Sequence, residues 1–168
     1  MRRPITASAG VSSERGVHVL DADGVCRNRA HLTILLRGSL RQSISGRAFD
    51  INAEVAATLD FAECAMNARV ISAQGAAGLV GVAIGSVDES GTAFIRWVAV
   101  APSVRQCGIG GQLVDVFETA SCARRVRGWV NHDDPVALGF WLRRGWQPLG
   151  APPHLVMMGR ELLPRPGA

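Results

Sequence analysis

Apolar positions recur along the chain with two different periods, and the period changes near residue 68. Upstream it is helical. Leu32, Leu35, Leu36 and Leu40 are spaced i, i+3, i+4, i+8, which predicts a helix over 28–41. Asp50 is placed to cap a second helix whose apolar face holds Ile51, Val55, Leu59, Ala62 and Met66. Ahead of both, 16–22 alternates as a first strand followed by the turn residues Asp21, Asp23 and Gly24, and 43–47 reads as a loop. Downstream, 69–74, 78–87 and 92–100 are strand-like and are separated by Gln-Gly-Ala and Asp-Glu-Ser-Gly, so an antiparallel meander of three strands is expected. The helical period returns over 108–124, with Leu113, Val116, Phe117 and Ala120 facing the core. A strand at 126–131, a helix at 135–144 with Pro135 in its first turn, and closing strands at 146–150 and 154–162 complete the order. Pro164 and Pro166 end it.

The junction between the third meander strand and the next helix is the most informative stretch. An apolar strand stops at Pro102, and a turn over 105–111 with glycines at 108, 110 and 111 feeds straight into the amphipathic helix. The first N–H groups of a helix lack intrahelical partners and carry the positive end of its dipole, so they suit a phosphate. Glycines let the backbone approach such a group, and Arg105 adds a charged donor. Two common phosphate loops do not fit. A dinucleotide fingerprint needs glycine at 113, where Leu113 stands, and a P-loop needs Gly-Lys-Ser/Thr in a chain without lysine.

What remains is V-x-P-x-x-R-x-x-G-x-G, read as Val100, Pro102, Arg105, Gly108 and Gly110. It resembles the pyrophosphate-binding signature of the GNAT superfamily of N-acetyltransferases. A second block over 130–146, with Val130, Ala137, Gly145 and Trp146 at matching positions, resembles another segment of that family. Asp134 stands where the family usually has asparagine and Trp141 where it usually has tyrosine. The resemblance covers roughly 78–162.

The resemblance implies an α/β (α+β) fold with a mixed, mainly antiparallel sheet of six to seven strands and helices on both faces. It implies that the strands flanking the phosphate-loop helix run parallel and splay, with the pantetheine arm of acetyl-CoA in the gap. Val98 and Val100 would then offer backbone groups to the arm, Gln106, Cys107, Gly108, Ile109, Gly110 and Gly111 would hold the pyrophosphate, and Asp134 and Trp141 would line the arm. Asp134, preceding Pro135, reads equally as a helix cap.

Composition changes little. With 168 residues the chain is one domain's worth, expected over 16–163 between short tails at 1–15 and 164–168. All 18 basic residues are arginine, scattered apart from 124, 125, 127 and the pair 143, 144, and the net charge is +4. No arginine cluster is interleaved with aromatics, so a nucleic-acid platform is not expected. The cysteines at 26, 64, 107 and 122 lack zinc-ligand spacing, and no metal is expected. No signal-like or bilayer-length apolar run occurs, so a cytoplasmic protein without membrane partners is expected.

By the resemblance, the activity is direct transfer of an acetyl group to a primary amine, with a small-molecule acceptor favoured over a protein and a homodimer possible. The family often uses a glutamate on the central strand as base and a tyrosine as acid. Here the strand reads T-A-F-I-R-W-V-A-V, with Phe94 and Arg96 in that region, and the chain has no tyrosine. Glu54 and His154 lie in regions that flank the family's acceptor pocket and are either proton relays or ordinary surface residues. Cys107 is a nucleophile or a loop filler, and transfer in the family is direct. Trp97, Trp129 and Trp146 read as core or pocket wall. The other reading is a coenzyme-A-binding module without turnover.

Overall fold

A computed structural model describes residues 16–39, 50–76, 78–150 and 152–162. Chain order is β1 (Val17–Leu20), α1 (Ala22–Arg27), α2 (Arg29–Ser39), α3 (Ile51–Cys64), β2 (Ala68–Gly75), β3 (Gly78–Val87) and β4 (Thr92–Val100). A short 3-10 turn (Pro102–Val104) leads to α4 (Ile109–Ser121), β5 (Arg125–Asn131), α5 (Pro135–Arg143), β6 (Gln147–Gly150) and β7 (Leu155–Glu161). The seven strands form one sheet in the order β1-β2-β3-β4-β5-β7-β6. Every neighbouring pair is antiparallel except β4 and β5.

Strand alternation splits the core into two layers. Ile71, Ala73, Ala83, Ala93 and Ile95 pack with Leu113, Val114 and Phe117 of α4, and this layer continues through Val126 and Val130 to Trp141 and Trp146. The residues between them, Val70, Val82 and Ile84, together with Ala99, face Val25, Leu32, Leu36, Val55 and Leu59 of α1–α3. Helices therefore cover both faces of the sheet. Burying a leucine or phenylalanine of this kind contributes about 1.5–3 kcal/mol. Gly85 seats α4 on the sheet, because a Cβ there would stand 2.6 Å from Phe117 Cζ.

Three expectations change. The turn expected after β1 is the helix α1: Asp21 caps it by accepting from Gly24 N at 2.7 Å, and Gly24 is buried within it. Met66 lies outside α3, which ends at Cys64, and is 99% exposed. The helix expected over 108–124 stops at Ser121, where Cys122 takes a left-handed conformation (φ 50°). In α4 the fully buried residues include Val114, whereas Val116 and Ala120 are only partly buried. Leu40, the loop at 43–47 and both tails lie outside the described residues.

Candidate functional site

The parallel pairing of β4 with β5 is short. It runs from Thr92–Arg125 to Ile95–Gly128 and stops, although β4 continues to Val100 and β5 to Asn131. A bulge lies at the point of divergence: on β3, Ile84 faces Trp97 and Gly85 faces Ile95, so Arg96 is the extra residue of β4. Bulges bend and twist the strand that carries them, which turns the upper half of β4 away from β5. Beyond the last pair the facing edges have no partner strand. Ala101 N donates to Val80 O of β3 at 2.8 Å, so by alternation the backbone groups of Val98 and Val100 point away from β3 and into the gap.

At the top of the gap the chain turns into α4. Val100 O accepts Arg105 Nε at 3.1 Å, and Gly38 O, in the last turn of α2, accepts Arg105 Nη2 at 3.1 Å. Arg105 thus ties the loop to β4 and to a helix C-terminus. Gln106 (φ 63°) and Gly108 (φ 82°) both adopt left-handed backbone, and a Cβ on Gly108 would meet nothing within 4 Å. Gly108 is the N-cap of α4 and has no side chain with which to bond its free N–H groups. The result is a concave, donor-rich turn at the positive end of a 13-residue helix.

The loop meets α5 from the other side. A Cβ on Gly110 would lie 3.6 Å from Phe140 Cε2 and 3.7 Å from Val100 Cγ2, and one on Gly111 would lie 2.9 Å from Arg144 Nη1. Arg144 pairs with Asp115 of α4 and stands 5.7 Å from the Phe140 ring centre, and its buried Nε has no hydrogen-bond partner. The sequence reading gave neither Phe140 nor Arg144 a place at the loop. The i, i+4 spacing of Phe140 and Arg144 was the available signal.

The remaining residues separate. Asp134 caps α5, its Oδ1 accepting Ala137 N at 2.8 Å. Trp141 is buried against Phe140 (ring centres 4.9 Å apart) and Trp146 (4.2 Å) in the α4–α5 layer. Cys107 is exposed, with its thiol 3.6 Å from Arg105 O. Glu54 is half-buried in the first turn of α3. His154 is exposed in the turn before β7, and its carbonyl accepts His132 N at 3.2 Å, joining that turn to the end of β5. Of the three tryptophans read as core or wall, Trp146 is core, Trp97 is half-buried and Trp129 is 44% exposed.

A parallel strand pair splayed beside an uncapped helix N-terminus suits a phosphate-bearing extended ligand. Comparisons with known proteins bear on the fold that carries this arrangement. Residues 67–148 match the family model of the acetyltransferase (GNAT) domain. PaiA N-acetyltransferase from Thermoplasma acidophilum, solved in complex with coenzyme A, superposes with a TM-score of 0.71 at 13% identity, covering 88% of this chain and 99% of that one. An aminoglycoside 6'-acetyltransferase type Ii gives 0.67 at 18% identity over 90% and 99%. The ribosomal-protein-S18-alanine N-acetyltransferase from Escherichia coli gives 0.66 at 12% identity over 87% and 92%. No curated protein sequence matches the chain. By its domain match over 67–148 and its fold, this chain carries a GNAT acetyltransferase domain.

Proposed function

We propose that the protein transfers an acetyl group from acetyl-CoA directly to the primary amine of a small-molecule acceptor. The observation that carries the reading is the divergence of β4 from β5 beyond Ile95 and Gly128, in line with the uncapped N-terminus of α4. The residues fit the coenzyme: 106–111 form a donor-rich turn open above Gly108, and below it the strand edge offers the backbone groups of Val98 and the N–H of Val100, whose carbonyl is taken by Arg105. Arg105 orders this turn, and Arg144 sets a positive charge beside Gly111.

The coenzyme supplies an activated thioester carbonyl. The nitrogen of the acceptor attacks that carbon, the carbon–sulfur bond breaks, and the proton lost by the amine ends on the thiolate. The backbone N–H of Val98, aimed into the gap, holds the reacting carbonyl, and that of Val100 is left for the pantetheine arm. Ile95 and Gly128 close the gap below and stop the thioester at a fixed depth, so positioning supplies much of the rate. Glu54 and His154 are the side chains proposed to relay the amine proton through water.

A second reading, a coenzyme-binding module without turnover, is favoured by one observation. Phe94, Arg96 and the buried Trp141 occupy the positions where a carboxylate or phenol would take or give the proton, and none is an acid or base near neutral pH. Thiol release from acetyl-CoA across a panel of amines separates the two. Release that depends on an amine establishes transfer, and coenzyme binding without release on any amine establishes the module.

A further inference from the structure

The two faces of the sheet beside the gap between β4 and β5 carry different side chains. On one face Ala93, Ile95, Val126 and Val130 lie in the layer under α4 and α5, the side from which a ligand held at the α4 N-terminus enters. An acceptor amine must therefore meet the thioester from the other face. There the strands present the alternate positions: Phe94, paired with Arg127 across the strands, then the bulge residue Arg96 and, beyond the last pair, Trp129.

Four arginines of the described residues pair with acids: Arg29 with Asp60 and Glu63, Arg125 with Glu161, Arg144 with Asp115 and Arg160 with Glu118. Arg96 and Arg127 have no acidic partner among the described residues. Arg96 is exposed, its guanidinium 5.0 Å from the Phe61 ring centre, and Arg127 lies over Gly159, where a Cβ would stand 3.2 Å from its Cγ. Neither β4 nor β5 carries an aspartate or glutamate. Trp129 offers an exposed planar surface between them and the end of β5.

Resting on the acyl-transfer reading above, we infer that the acceptor is an amine that also carries an anionic group, a carboxylate or a phosphate, bound by Arg96 and Arg127 with its apolar part against Trp129. Guanidinium forks match both anions in geometry, and two unmatched cations repel a polycationic acceptor such as a polyamine.

The test compares kcat/KM for matched amines: amino acids against their methyl esters, phosphoethanolamine against ethanolamine, and spermidine as the polycation. The anionic member of one pair is expected to be favoured by about tenfold or more, as charge-assisted bonds allow, and which pair shows it identifies the anion. The preference is expected to vanish in Arg96→Gln/Arg127→Gln, while stabilisation by acetyl-CoA persists. Equal or better use of the esters, ethanolamine or spermidine, or a preference that survives the double substitution, overturns the inference. Stabilisation by acetyl-CoA with no turnover on any amine overturns the transfer reading instead, and this inference with it.

Discussion

Gly128 pairs with Ile95 at the last rung between β4 and β5, and a Cβ on Gly128 would stand 3.0 Å from the Ile95 carbonyl oxygen. The neighbour is backbone and is held by β3 on its other side, so it has little room to give. Gly128→Val is expected to force the strands apart one rung early and to cost about 1–3 kcal/mol, as overpacking does. Urea denaturation of the two proteins checks it, and an unchanged midpoint would mean that the junction is looser than described.

Arg105 bonds two carbonyls, of Val100 and of Gly38, from separate elements. Its loss frees the loop from β4 and from α2. Arg105→Ala is expected to weaken acetyl-CoA binding by roughly 1–2 kcal/mol, the scale of one or two bonds from a charged donor. Arg105→Lys should rescue little, since a single ammonium does not span both acceptors as the fork does. Calorimetric titration of the three proteins measures the difference.

Glu118 is buried in α4, its side chain 8% exposed, and it accepts Arg160 Nε at 3.1 Å and a second bond from Arg160 Nη2. Arg160 Nη1 also donates to Arg144 O at 2.9 Å, so the pair joins α4, β7 and the end of α5. Arg160→Met leaves a buried carboxylate without its cation. The loss is expected to be about 2–3 kcal/mol, below the range for a fully buried pair because Arg160 is 30% exposed. Adding Glu118→Leu should restore much of it, and a double variant no more stable than the single would contradict this account.

Asp88 sits in the β3–β4 turn, where Ser90 Oγ donates to it at 2.6 Å and Thr92 N at 2.9 Å, and these bonds lower its pKa below the ordinary aspartate value. A group with a depressed folded-state pKa stabilises the fold above its unfolded pKa. That contribution is lost as pH falls through the folded value. The urea midpoint is expected to decline on acidification below about pH 4, and less steeply in Asp88→Asn. Identical pH profiles would remove Asp88 from the acid response.

The glycine-rich turn ahead of α4 and the meander were legible in the sequence because both are local. Val100, Pro102, Arg105, Gly108 and Gly110 fall within one turn and its flanks, and the two hairpins announce themselves by glycine and polar residues. The helix α1 was not legible. Asp23 and Gly24 are turn residues by propensity, yet Asp21 caps a helix there and Val25 is buried under α2 and α3, so packing overrode propensity. The bulge at Arg96 depends on the partner strand, and the approach of Arg144 to Gly111 joins positions 33 apart in sequence. Neither leaves a short-range signal. The missing glutamate and tyrosine were plain in the sequence, and the buried setting of Trp141 shows that its indole serves the core.

The central claim is that the loop over 105–111 and the gap beneath it bind acetyl-CoA, and thermal unfolding with and without that compound tests it most directly. At about a hundredfold excess over Kd a ligand held only by the native state adds about 2.7 kcal/mol, which raises Tm by roughly 5–10 °C in a domain of this size. That shift is expected for the wild type and should be absent in Gly110→Trp, whose added ring fills the space beside Val100 and Phe140. A cooperative transition that acetyl-CoA leaves unmoved in the wild type, or a shift that survives Gly110→Trp, would contradict the account.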